Sequence, residues 1–368
     1  MGSSDGWIAQ SIFGRGRVVW DTAGFQFLAV SLTSGIVLAE FPDLQVSQLS
    51  YRFEEMTSEK VMLPWRNIPS NWNEATVPYG AAILLTRGST VLWGGIVVKR
   101  ERTLQGDGLS LTLATVEHYL DSVYVKDHVY SNCDQCEIMK DLVSSTLKDH
   151  RFMISVEASP SSIRRDRTYE ADSNKTLLSA IQELSNVQNG PEWCTSWQAR
   201  GGWYLPVLTV ADRIGSVTPV TTFDESVMTS FRVLEDYTAG YGANVVWAVG
   251  STAGEDQLRS DVMVAEQSYR PVVEYVVNAS SSIVRKETLN GHASAALQQL
   301  RDGTNTVDMT LSLMAAPIVY EEWKPGDVVE WLVSDDDGRL GGFAHGEARA
   351  VGYDIDFSGA WTITPVLQ

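Results

Sequence analysis

Apolar and polar residues alternate in short blocks along much of this chain, and the blocks are divided by turn residues. Ala82 to Thr86 is rich in β-formers, and Arg87-Gly88-Ser89 supplies a turn. Val91 to Thr103 is a long strand, apolar at its start and charged at its end. Gln105-Gly106-Asp107-Gly108 turns the chain back, since glycine takes positive φ at little cost. Leu109, Leu111 and Leu113 then alternate with Ser110, Thr112 and Ala114, the period of a half-buried strand. Upstream, Val18–Trp20 and Phe25–Val30 read as short strands around an Asp-Thr-Ala-Gly turn, followed by Ile36–Glu40 and Leu44–Phe53. Within Leu44–Phe53 the apolar parity shifts, which suggests a bulge. Residues 57–78, rich in Trp, Pro and Asn, read as a long loop of the kind that is functional or interfacial.

The character changes from about Lys126 to Gly215. Cys133–Lys148 has helical spacing, with Ile138, Leu142 and Leu147 on one side and Ser131 and Asp134 as a variant capping box. Phe152–Val156 reads as a strand. A second helix follows Asp172 or Ser173, carries Leu177, Ile181 and Leu184, and stops at Gly190-Pro191. Trp193–Ala199 and Trp203–Val210 flank Arg200-Gly201-Gly202, a hairpin signal. From Ser216 the chain is strand-rich again, in segments near 229–236, 244–250, 271–277, 307–313, 328–333, 346–355 and 360–367. One helix near 286–302 interrupts them, with Ala293, Ala296, Leu297 and Leu300 as its apolar stripe. The fold class expected is mainly β: a β-barrel domain over 1–125, an α+β module over 126–215, and a second β-barrel domain over 216–368.

A chain of 368 residues implies two or three domains, because single cores rarely grow past about 250 residues. No apolar run is long enough for a transmembrane helix, and the N-terminal MGSSDGWIAQSIFGRGR lacks a basic stretch followed by an apolar one. The net charge of −18 argues against a groove that grips phosphates. It fits either plain solubility or a surface past which DNA slides without sticking. Cys133 and Cys136 form one C-x-x-C with no second pair to complete a zinc site, so free thiols are expected in place of a redox or metal role.

Phosphate-loop, zinc-protease, nucleophile-elbow and dinucleotide motifs are absent from the sequence, and the five histidines show no metal spacing. Asp335-Asp336-Asp337-Gly338 fails as a calcium loop: with Gly338 at position six, Val333 and Ala344 fall where ligands are needed. It reads as an acidic hairpin tip. Adjacent acids such as Glu54-Glu55 and Glu235-Asp236 point to opposite faces of a strand and are poor partners for glycosidase chemistry. No enzyme and no cofactor are expected. Lys99, Arg100 and Arg102 with Glu101 form the one basic cluster, either a solvated strand end or an intersubunit ion-pair belt.

Three stretches carry a resemblance. VLWGGIV (91–97) with the charged KRER that follows and the LTLATVEHYL stretch is one. SFRVLEDYTAGYGANVVWAVGSTAGED (230–256) is the second, and KPGDVVEWLV (324–333) with ARAVGYDIDFSGAWTITPVL (348–367) the third. The chain resembles the baseplate hub, or minor tail protein, family of long-tailed, siphovirus-type bacteriophages of actinobacteria. The resemblance implies two tail-tube-like antiparallel β-barrels and a trimeric ring at the tail tip, in the virion. It also implies contacts with the distal tail protein or tail tube, the tape measure protein, and tip or fibre proteins. DNA would pass a channel without specific binding. Interface candidates are Trp65, Trp72, Lys99, Arg100 and Arg102; channel-facing candidates are Asp335, Asp336 and Asp337. A receptor- or carbohydrate-binding tail module, supported by the Trp65–Trp72 stretch, is the alternative.

Overall fold

A computed structural model describes residues 24–238, 240–250, 257–266, 269–279 and 285–368. The expected strand at Val18–Trp20 lies outside the described residues. The chain is mainly β, with 46% strand and 15% helix. It divides into two compact units. One comprises Met1–Thr221, Pro317–Val328 and Arg349–Trp361; the other comprises Thr222–Ala316, Val329–Ala348 and Thr362–Gln368.

In the first unit, β1 (Phe25–Ser31), β2 (Val37–Glu40), β3 (Gln45–Val46), β5 (Ser58–Pro64), β6 (Ala81–Arg87), β7 (Thr90–Glu101) and β8 (Gly108–Ala114) form a seven-stranded sheet. Its order is β2-β1-β6-β7-β8-β5-β3, and each neighbouring pair is antiparallel. The stretch read as one bulged strand is two. β3 pairs with β5, whereas β4 (Gln48–Arg52) pairs with residues 352–356, from Arg52 opposite Gly352 to Gln48 opposite Asp356. The parity shift therefore marks a change of partner strand. The long loop expected over 57–78 is also corrected. β5 occupies Ser58–Pro64 and pairs residue by residue with β8, with Val61 and Leu63 buried. Glu59 lies half-buried on the face of Val61 and Leu63 and Lys60 is exposed on the other, so a charge on each face hid the alternation.

After a short helix α2 (Val116–Leu120), strand β9 (His128–Asp134) pairs antiparallel with β11 (Arg164–Tyr169), two strands that pattern alone did not reveal. Helix α3 (Gln135–Leu147) is capped by Asp134, whose Oδ1 accepts from the Cys136 and Glu137 amides at 2.8 and 3.3 Å; Ser131 sits in the strand instead. Cys133 thus lies on a strand and the buried Cys136 on a helix, so the C-x-x-C is not one helix face; all three thiols are free. Helix α4 (Leu177–Ser185) is capped by Thr176. β12 (Glu192–Arg200) and β13 (Trp203–Ala211) form the expected hairpin, and β10 (Ser155–Ala158) adds to β13 in parallel. Residues of the first sheet (Leu28, Leu84, Ile96) and of the α+β segment (Ile138, Leu142, Ile181, Trp193) share one hydrophobic core. The boundary expected at 125 therefore runs through a core and does not separate two.

In the second unit, Met228–Asp236 pairs antiparallel with Thr304–Ser312, which pairs with Thr362–Leu367. A three-stranded sheet, Met263–Val264, Val245–Val249 and Glu274–Asn278, packs against helix Lys286–Leu300 through Val246, Ala248, Leu289 and Ala293.

Candidate interaction surface

The two tryptophans singled out in sequence come together at the end of the β7–β8 hairpin. Trp65 and Trp72 pack edge to face with centroids 5.5 Å apart. Trp65 Nε1 donates to the Gly106 carbonyl at 2.9 Å, and its backbone N–H donates to the Asp107 carbonyl at 3.0 Å. The hairpin turn thereby holds the Trp65 segment. Trp72 opens the one-turn helix α1 (Trp72–Ala75). The Arg102 guanidinium lies 5.5 Å from the Trp72 ring centroid, a cation–π arrangement. Two residues further along the chain, the side chain of Leu104 stands fully in solvent at 104% exposure.

The basic cluster is divided between two faces. Strand alternation turns Lys99 and Glu101 to one face, where they pair at 3.3 Å, and Arg100 and Arg102 to the other. Arg100 Nη1 donates to the Asn73 carbonyl at 2.8 Å and to Thr76 Oγ1 at 3.3 Å, so it ties the hairpin to α1. Trp65, Trp72 and Arg102 are thus brought together in the fold. Leu104 was not among the residues singled out in sequence; its exposure at the hairpin tip is seen only in the structure.

Asp335, Asp336 and Asp337 form a self-contained turn. Asp335 accepts from the Arg339 amide at 2.6 Å and the Leu340 amide at 2.9 Å, and Asp337 pairs with Arg339 at 2.6 Å. Asp335 is thus committed to the turn. Asp336 and Asp337 are exposed.

Beneath the sheet a buried polar cluster fixes β4. Tyr51 and Tyr353 stack at 5.6 Å, the Tyr353 hydroxyl donates to the Leu92 carbonyl at 2.5 Å, and Trp93 Nε1 donates to the Ser50 carbonyl at 2.9 Å. The Thr195 amide donates to the Tyr51 hydroxyl at 3.2 Å, and Thr195 Oγ1 donates to Glu117 Oε1 at 2.6 Å. Burial pushes the Glu117 carboxyl above its ordinary range, with hydrogen bonds from Thr115 and Thr195 opposing; burial also raises Tyr51 and Tyr353. Cys194 is pushed up to about 12, chiefly by burial, so its thiol is not a nucleophile at neutral pH. The KPGD turn is equally explicit. The Asp327 carboxylate accepts from the Ser216 and Lys324 amides at 2.8 and 3.0 Å, while Gly215 packs so close to Gly326 that a Cβ would sit 2.1 Å from its carbonyl carbon.

Among the described residues no group of three or more His, Cys, Asp or Glu side chains could hold a metal ion, and no helix is long and apolar enough to cross a membrane.

No family model and no curated protein matches the chain. Solved structures do. The chain is similar to the 43 kDa tail protein of prophage MuSo2 from Shewanella oneidensis, at 10% identity and a TM-score of 0.54, over 93% of this chain and 97% of that one. It is similar also to the tail protein from Neisseria meningitidis MC58, at 14% identity and a TM-score of 0.52, over 94% and 96%. At such identities the likeness is one of fold: this chain shares the fold of phage tail proteins across nearly its whole length.

Proposed function

We propose that the chain is a structural component of a bacteriophage tail, the baseplate hub at the tail tip. Three copies close a ring that joins the tail tube or distal tail protein to tip and fibre proteins. The ring lines or closes the channel for the tape measure protein and the DNA. The observation that carries this reading is the full-length fold likeness to two tail proteins, with neither fold left partial. Two β-rich parts per chain suit a six-fold neighbour when three chains close the ring. The net charge of −18 suits a channel that must not retain phosphates. The chain needs no cofactor for such a role.

The partner-facing surface is Trp65, Trp72, Arg102 and Leu104, an aromatic, arginine and aliphatic set of the kind that anchors interfaces. Amide hydrogen exchange on the isolated chain and on the assembled tail tip tests it. Residues 65–76 and 102–106 should gain the most protection on assembly; equal exchange in both states would remove this surface from the interface.

A further inference from the structure

Away from that surface the first unit carries a groove of about 460 Å³, within the size range of small-ligand sites. Its floor follows from strand register. Gln45 lies opposite Met62, and Met62 opposite Ser110, so the three point to one face across β3, β5 and β8; Lys60, two residues from Met62, joins that face. Its wall is aromatic. Phe27 meets Phe357 at 5.9 Å, and Phe357 meets Trp361 at 5.1 Å. The wall is anchored, because the Phe357 amide donates to the Ser47 carbonyl at 2.9 Å and Asp356 Oδ1 accepts from the Ser358 amide and hydroxyl at 2.7 and 2.6 Å.

The electrostatics of this groove run against the rest of the chain. Aspartate and glutamate number 46 against 28 lysines and arginines, yet among the described residues no acidic side chain lines the groove. Among the described residues Lys60 is its one charged residue, exposed and without an ion pair. A fixed aromatic wall opposite a rim of amide and hydroxyl groups matches a sugar ring, whose C–H face packs on aromatics while its hydroxyls need hydrogen-bond partners. An unpaired ammonium adds a preference for an acidic group on that sugar. An open, half-polar groove also suits a hydrated saccharide better than a wholly apolar molecule.

We propose that this groove binds a saccharide bearing a carboxylate or a phosphate. Trp361 and Phe27 contact the ring, Gln45 and Ser110 bond its hydroxyls, and Lys60 pairs with the acid. The site does not depend on the hub reading and could fail without affecting it.

The test is a titration of the full chain by ligand-observed NMR with glucuronic acid and glucose 6-phosphate, and with glucose as the neutral probe. Both acidic sugars should bind saturably and glucose several-fold more weakly. Lys60→Ala, at an exposed position, should weaken the acidic sugars about fivefold and leave glucose unchanged. Ser110→Trp, also at an exposed position, should fill the groove and abolish all three. Carboxylate binding alone, or phosphate binding alone, would identify which acid the site takes and would still uphold it. No saturable binding, equal affinity for glucose, or full binding by either variant would overturn the proposal.

Discussion

The paired glycines of VLWGGIV invite a direct perturbation. Gly94 stands opposite Leu84 in the β6–β7 ladder. A Cβ there would lie 2.5 Å from Cδ1 and Nε1 of Trp197 and 2.6 Å from a Leu84 methyl carbon. Both neighbours are buried, Trp197 at 7% exposure and Leu84 at 0%. Carbon contacts are comfortable near ~3.5–4 Å, so the indole would have to retreat by about 1 Å within a close-packed core. Overpacking of that kind costs about 1–3 kcal/mol, and the backbone entropy gained on replacing a strand glycine returns about 0.5–1 kcal/mol. Gly94→Ala should therefore destabilise the chain by on the order of 1–2 kcal/mol. In urea the midpoint should fall by roughly 0.5–1 M with the slope unchanged, for a slope near ~2 kcal/mol/M. In a Trp197→Ala background the same change should cost less, because the ring is gone and only the Leu84 methyl remains in the way. A Gly94→Ala chain with the wild-type midpoint, or one whose cost is the same in both backgrounds, would refute the steric account.

Two further substitutions probe charge. Burial raises the folded-state pKa of Glu117 above its unfolded value, so the folded chain holds that proton longer and stability drains away as pH rises from the unfolded value toward the folded one. Glu117→Gln should match wild type near pH 4 and exceed it by on the order of 1 kcal/mol at pH 8, read as urea midpoints; a constant gap across that range would show that burial of the charge is not the cause. Glu54 and Glu59 are shifted in the same direction by burial, so a smaller pH slope should persist in the variant. For the channel, Asp336→Lys with Asp337→Lys should slow DNA ejection from assembled virions at low salt and much less at high salt, where screening shortens the field; Asp335 is left intact because it holds the turn. Ejection at wild-type rates at low salt would place this turn away from the DNA path.

Much of the fold is legible in the chain because period-two alternation and glycine turns are local signals. The Arg200-Gly201-Gly202 hairpin and the late strands follow from them, and the helices at 135–147 and 286–300 from the helical spacing of their apolar residues. What escaped depends on partners distant in sequence. Ser58–Pro64 is a strand because β8 pairs with it, and the segment around Val46 divides because residues 352–356 take β4. β9 and β11 carry Arg, Asp and Asn on faces that stay in solvent, so no apolar period marks them. At the candidate surface, Trp65 and Trp72 were identifiable as aromatics in a polar stretch. Their meeting, the diversion of Arg100 to Thr76 and the exposure of Leu104 all require the hairpin to fold back.

The hub reading is tested most directly by a cryo-electron microscopy reconstruction of an isolated tail tip, with copies of this chain counted and the ring axis located. The account predicts three copies closing a ring under a six-fold neighbour, with Trp65, Trp72 and Leu104 covered by another chain and aspartates and glutamates outnumbering lysines and arginines at the narrowest point. Six copies, a single copy, or a narrowest point lined by arginine and lysine would contradict it.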